Sequence, residues 1–199
     1  MAKGKAIIML VAAVLLVLAA GCGSGGKVSF ADLERDQITD ETVLAALKSE
    51  RGSRPIFYDT GFVDNITQVL AVNNESEDPE DDGLMIVIQY STSPSYDETA
   101  TIDKFGGTVI AIDSVIYTNP YIKNVLIYCN AETVDSYGVT QTEQIAKIAI
   151  WPETAEKVDW AGLAKMHGGD PGNIYRIADS YWIMPDIKQL MDPGRIWFD

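Results

Sequence analysis

The segment from Asp97 to Tyr117, "DETATIDKFGGTVIAIDSVIY", constrains the fold more than any other part of the chain. Ile102, Phe105, Val109, Ile112 and Ile116 recur at spacings of 3, 4, 3 and 4, which aligns them as one apolar stripe on a helix of 3.6 residues per turn. A stripe of that length has to be buried against another element. Asp97 is suited to cap the start and Glu98 to meet the positive end of the helix dipole. Asn119-Pro120 stops the helix, because the residue before a proline is driven out of the helical region. Gly106-Gly107 lowers helix propensity by about 2 kcal/mol relative to alanine. The pair fits close packing of helix on sheet; no strand and glycine loop precede it to form a phosphate cradle.

The sheet this helix needs is written on both sides of it. Residues Thr67 to Val72 and "GLMIVIQYS", Leu84 to Ser91, are rich in β-branched and aliphatic residues and read as two strands. Between them lies "NNESEDPEDDG", a charged hairpin tip. After the helix come strand residues Lys123 to Asn130, a turn at Asp135 to Gly138 and a strand at Thr142 to Ile150, a second hairpin. Pro55 to Tyr58 reads as a further short strand. Helices are expected at "SFADLERDQ", at "TDETVLAALKSERG" with Thr39 or Asp40 as cap and Val43, Leu44 and Leu47 inward, at "PETAEKVDWAGLAKM" with Pro152 in the first turn, and at "PDIKQLMDPG". "IYRIADSYWIM" is expected to be a strand. The order of elements predicts an α+β domain: an antiparallel sheet of two hairpins with helices packed mainly on one face, spanning residues 29–199.

The first residues carry a different message. Lys3 and Lys5 precede an apolar or small run from Ala6 to Ala20, which reaches Gly21-Cys22. The run is short of the roughly 20 residues that cross a bilayer; a cationic start, an apolar middle and small residues before a cleavage point make an export signal. Ala19, Ala20, Gly21 and Cys22 resemble the lipobox of the prokaryotic lipoproteins, with Leu18 one place earlier than the strongest form of that motif has its aliphatic residue. The resemblance covers only the first 26 or so residues. It implies removal of residues 1–21 and a diacylglyceryl group on the sulfur of Cys22, followed by a flexible tether over 22–28, of which Gly23, Ser24, Gly25 and Gly26 are the loosest part. It also implies a position in the cell membrane or outer membrane, facing outside the cytoplasm.

Charge narrows the partners. With 29 acidic against 15 basic residues and a formal net charge of −14, the chain repels nucleic-acid phosphates, whose binding rests on Lys and Arg. No nucleic acid is expected as a partner. The partners implied are the membrane, through its lipid anchor, and a protein of the cell envelope. Cys129, in "KNVLIYCNAE", is the second cysteine and sits in apolar company, where a thiol packs as a small hydrophobe.

Candidate sites are few. The acidic tip offers Glu75, Glu77, Asp78, Glu80, Asp81 and Asp82 to a cation such as calcium, although their spacing is not that of an EF-hand. His167, the sole histidine, lies near Asp170, and a single histidine excludes a multi-histidine zinc site within one chain. Tyr175, Tyr181 and Trp182 lie among aromatics concentrated in the second half and are candidates for a stacking surface. The terminal "RIWFD" is too apolar to be left in water. No catalytic residue and no cofactor is assigned. The reading that follows is a membrane-anchored, non-enzymatic binding or assembly module. Its alternatives are a surface hydrolase using paired carboxylates or a cation site, and a small solute-binding lipoprotein.

Overall fold

The computed structural model describes residues 29–50, 62–74, 83–93, 98–134, 137–165 and 172–191. Two short 3₁₀ turns, Phe30–Asp32 and Arg35–Gln37, stand where one helix was expected. The first is capped by Ser29 and the second closed by a reciprocal Glu34 and Gln37 capping box, so each turn satisfies its own ends and neither propagates. Helix α1 follows at Asp40–Glu50, with Val43 and Leu47 buried and Leu44 packed against the core. After a 3₁₀ turn at Phe62–Asn65 come strands β1, Ile66–Asn74, and β2, Gly83–Thr92. Helix α2 is Glu98–Ile116, and strands β3, Ile122–Val134, and β4, Thr140–Ile150, follow it. Two short helices, α3 at Pro152–Ala155 and α4 at Trp160–Lys165, replace one longer expected helix. The chain then forms α5, Asn173–Ile177, β5, Ser180–Ile183, and α6, Pro185–Leu190. The expected strand at Pro55 to Tyr58 lies outside the described residues.

The five strands make one sheet in the order β1-β2-β3-β4-β5. The fold is α+β, as expected, but the sheet is mixed: β1 and β2, β3 and β4, and β4 and β5 pair antiparallel, whereas β2 and β3 are parallel. The reason lies in the connection. A two-residue turn can only reverse a strand, but a helix the length of α2 carries the chain back to the starting end, so β3 runs in the direction of β2.

All five stripe residues of α2, Ile102, Phe105, Val109, Ile112 and Ile116, are fully buried. Phe105 stacks on Tyr90 of β2 with ring centroids 6.4 Å apart, placing the stripe against the sheet. Beyond the stripe, Thr108, Ile110, Ala111, Asp113, Ser114 and Val115 are buried too, because α1, α4, α5 and α6 also pack on α2. Burial alternates along β2: Leu84, Ile86, Ile88 and Tyr90 are buried, while Met85, Val87, Gln89 and Ser91 are only partly covered.

Polar side chains fix the joints. Ala71 of edge strand β1 donates its N–H to Asp40 Oδ1 at 2.7 Å, occupying a ladder group at the sheet edge with the start of α1. At the first residue of β2, a Cβ on Gly83 would run into the Lys123 side chain and come within 2.9 Å of the Tyr121 carbonyl oxygen, so only glycine lets β2 start there. Asn119, 1% exposed, closes the far end of α2: its Nδ2 donates to the carbonyls of Phe30 at 2.8 Å and Leu33 at 3.0 Å, and its Oδ1 accepts from the Tyr121 N–H. Asn119→Ala leaves these groups without their partner, and unsatisfied buried polar groups each cost about 1–3 kcal/mol. A fall of roughly 2–3 kcal/mol in unfolding free energy by urea titration, with an unchanged slope, is the expected result.

Candidate functional site

Two places in the fold combine chemistry with position: a carboxylate inside the helix layer and a row of side chains across the sheet. The first is Asp113. It lies in the all-round apolar half of α2, is fully buried, and neither carboxylate oxygen has a hydrogen-bond partner. Burial alone pushes its pKa well above the ordinary carboxylate range. One turn on, the Tyr117 ring stacks parallel to Trp160 at 5.9 Å, and its hydroxyl donates to the Ile150 carbonyl at 2.6 Å. The Trp160 Nε1–H in turn donates to the Ala155 carbonyl. Burial first, then the negative charge of Asp113, raises the Tyr117 pKa further from neutrality, so Tyr117 stays a neutral phenol.

Asp103, nearer the start of α2, also carries a buried carboxylate oxygen, Oδ1, without a hydrogen bond. Ten helical residues separate the two carboxylates, about 15 Å along the axis. Glycoside cleavage uses carboxyl groups roughly 5–9.5 Å apart, so these two are not such a pair.

The second place is the sheet itself. The pairing registers run Gln68 to Gln89, Gln89 to Tyr128, Tyr128 to Lys147 and Lys147 to Trp182, one residue from each strand. They share the face that alternates with buried Ile88, Ile127 and Ile148. Gln68 is exposed and the other four are partly exposed. The neighbouring row on that face is apolar: Leu70, Val87, Leu126 and Ala149, all partly exposed, with Ser180 at its end. Past the end of β2, strands β3 and β4 continue as a ribbon toward Val134, Tyr137 and Val139, which are 67%, 91% and 57% exposed. Gly138 takes a positive φ of 80° in the turn, a backbone conformation that glycine adopts without steric cost.

The residues singled out in the sequence are scattered across this architecture. Tyr175 lies in the core at 2% exposure and donates its hydroxyl to the Ile102 carbonyl at 2.7 Å; burial first, then Cys129 and Asp103, drives its pKa upward. Tyr181 meets Tyr175 edge-on at 5.8 Å. Trp182, the next residue of β5, points to the other side of the sheet and joins the row beside Lys147. Cys129 is buried and its thiol pKa is pushed up by burial, which leaves it inert. Cys22, His167, Asp170, the terminal "RIWFD" and the acidic tip with Glu75, Glu77, Asp78, Glu80, Asp81 and Asp82 lie outside the described residues. Among the described residues no three His, Cys, Asp or Glu side chains gather as a metal site, and no helix is long and apolar enough to cross a membrane.

Asp113 was missed in the sequence although it left a signal. "TVIAIDSVI" is apolar around its whole circumference, and such a helix is enclosed on every side, its acid included. Comparison with known proteins adds no relative: no family model, no curated protein and no solved structure matches the chain.

The raised pKa of Asp113 gives a signed test. Its folded-state value lies above the unfolded value of about 3.9, so between the two the folded chain holds more protons. Stability is greatest below the unfolded value and falls as pH rises toward the folded value. Asp113→Asn removes that slope. Urea titration from pH 4 to 8 is expected to show the variant gaining on the parent as pH rises.

Proposed function

We propose that this chain is a membrane-anchored extracytoplasmic lipoprotein that acts as a non-enzymatic binding or assembly module. On this reading Cys22 carries the lipid, residues 23–28 hold the body off the bilayer, and the helices lie on one face of the sheet while the other receives a partner. The observation that carries the binding reading is the cross-strand row Gln68, Gln89, Tyr128, Lys147 and Trp182. It sets two aromatic rings, two amides and one cation in the register of a rigid sheet, and binding groups held on regular elements are more sharply positioned than groups on loops.

The anchoring reading is supported by the lipobox resemblance of Ala19, Ala20, Gly21 and Cys22; the acyl chains that the resemblance implies would hold stably, whereas one chain alone binds only marginally. The high acidity of the chain favours this division of labour, because so negative a body has little affinity of its own for an anionic lipid surface.

Expression with its native signal, followed by membrane fractionation and intact-mass measurement, tests it. The protein is expected in the membrane fraction, starting at a diacylglyceryl-modified Cys22, with Cys22→Ser released to the soluble fraction. Retention of Met1 with an unmodified Cys22 sulfur contradicts the anchor. A photo-crosslinking residue in place of Tyr128 is expected to capture a reproducible envelope component that the same residue at Glu156, an exposed position after α3, does not.

A further inference from the structure

The composition of the row across the sheet says what it holds. Tyr128 and Trp182 flank Lys147 in strict cross-strand register, and Gln89 and Gln68 extend the same line to the opposite edge. Five strands span about 19 Å at the usual spacing of roughly 4.8 Å. This is a line and not a pocket, so it suits an extended ligand laid across the strands.

The available area separates the candidates. Four rows of side chains occupy this face where β2 and β3 pair, from the Met85 and Asn124 pair to the Ser91 and Asn130 pair, and β4 joins the last three of them. Four rows, each about 6.7 Å apart along the strands, cover roughly 20 Å, and because all five strands meet only in the two rows that end at Ser180 and Trp182, the footprint is at most about 400 Å². A stable protein pair needs about 800 Å² from each partner. The face is therefore small for a second copy of this chain and adequate for a chain-like ligand of modest width.

Charge separates them again. In a chain with 29 acidic residues, the row holds no carboxylate and a single cation, Lys147. A polyanion would still have to approach a body of net charge −14, and long-range repulsion opposes that approach. An uncharged ligand meets no such barrier, and one rich in hydroxyl oxygens can accept hydrogen bonds from the Lys147 ammonium that it covers. The amides of Gln68 and Gln89 each offer donors and an acceptor. The faces of Tyr128 and Trp182 offer electron-rich apolar area. Sugar rings present the complements of both, a C–H face and a hydroxyl rim.

We propose, resting on the binding-module reading, that the Gln68–Gln89–Tyr128–Lys147–Trp182 row is a binding platform for an uncharged glycan strand. The rings of Tyr128 and Trp182 stack on sugar C–H faces, the two glutamines bond hydroxyl or acetamido groups, and the Lys147 ammonium donates to sugar oxygens between the aromatics. The Leu70, Val87, Leu126 and Ala149 row lies along one side of the strand and excludes water from it.

The test uses the lipid-free chain from residue 23 with ¹⁵N labelling, titrated with two neutral probes, chitotetraose and cellotetraose, and one acidic probe, tetragalacturonate. At least one neutral probe is expected to shift amides of residues in the row and its flanking positions, saturably. Trp182→Ala and Tyr128→Ala are each expected to weaken that binding about tenfold, the size of one lost ring contact. Trp151→Ala, which removes a half-exposed ring outside the row, leaves it unchanged. The wild-type shift map carries the test without the variants if either alanine variant unfolds. No saturable shift with either neutral probe, shifts that map away from the row, or preference for tetragalacturonate overturns the glycan platform. If the neutral probes fail while crosslinking at position 128 still captures a discrete envelope component, the glycan assignment falls and the binding module stands. Failure of both removes both.

Discussion

Everything in this fold depends on enclosing one helix. From Thr108 to Ile116, α2 is buried all round, so it cannot rest at the edge of a two-layer domain with one side in water. The sheet covers the stripe of Ile102, Phe105, Val109, Ile112 and Ile116, and α1, α4, α5 and α6 pack on the helix as well. Burying apolar side chains of this size contributes about 1.5–3 kcal/mol each, and α2 buries eight apolar side chains, more than any other described element. The same helix imposes the topology. By returning the chain to its starting end it makes β3 parallel to β2, and antiparallel neighbours then grow outward on each side.

Enclosure has a cost and leaves an opportunity. The cost is Asp113, carried into the interior with neither oxygen satisfied; a buried polar group without a partner destabilises the folded state. Its surroundings are tied down by other bonds: Tyr117 is held by the Ile150 carbonyl and the Trp160 ring, and Asp179 accepts from both the Trp151 N–H and the Thr154 hydroxyl, pinning the start of α3. The opportunity is the other side of the sheet. The residues that alternate with the buried face of β2, β3 and β4 stay partly exposed in the middle of the sheet. They spell a line of amides and aromatics with one cation.

Much of the architecture could be read from the residues, and the failures have specific causes. The stripe of α2 and the β-branched runs of β1 to β4 were legible because one apolar face of regular period leaves no other solution. The parallel pair was not, since local alternation says nothing about which strand lies beside which. The helix expected from Pro152 onward broke at Asp159, whose Oδ1 accepts from the Gly162 N–H at 2.8 Å and whose carbonyl accepts from Leu163; an aspartate that caps starts a new helix and ends the old one. "IYRIADSYWIM" divided at Ala178 into a helix and a strand, because Asp179 is taken up by α3 and Tyr175 is drawn into the core by its bond to Ile102. The site was harder to read than the fold. Trp182 could be nominated from composition, but its neighbours Tyr128 and Lys147 come from strands far away in sequence, and only register brings them together.

Native-state hydrogen exchange tests the enclosure of α2 most directly, residue by residue. If this helix is the centre on which the other elements are assembled, the amides of residues 108–116 exchange only through global unfolding, as slowly as those in the middle of β2 and β3, and respond to urea with the full unfolding slope. Exchange of those amides well ahead of β2 and β3, with a shallow urea dependence, would mean that α2 opens on its own and is not the centre on which the other elements are assembled.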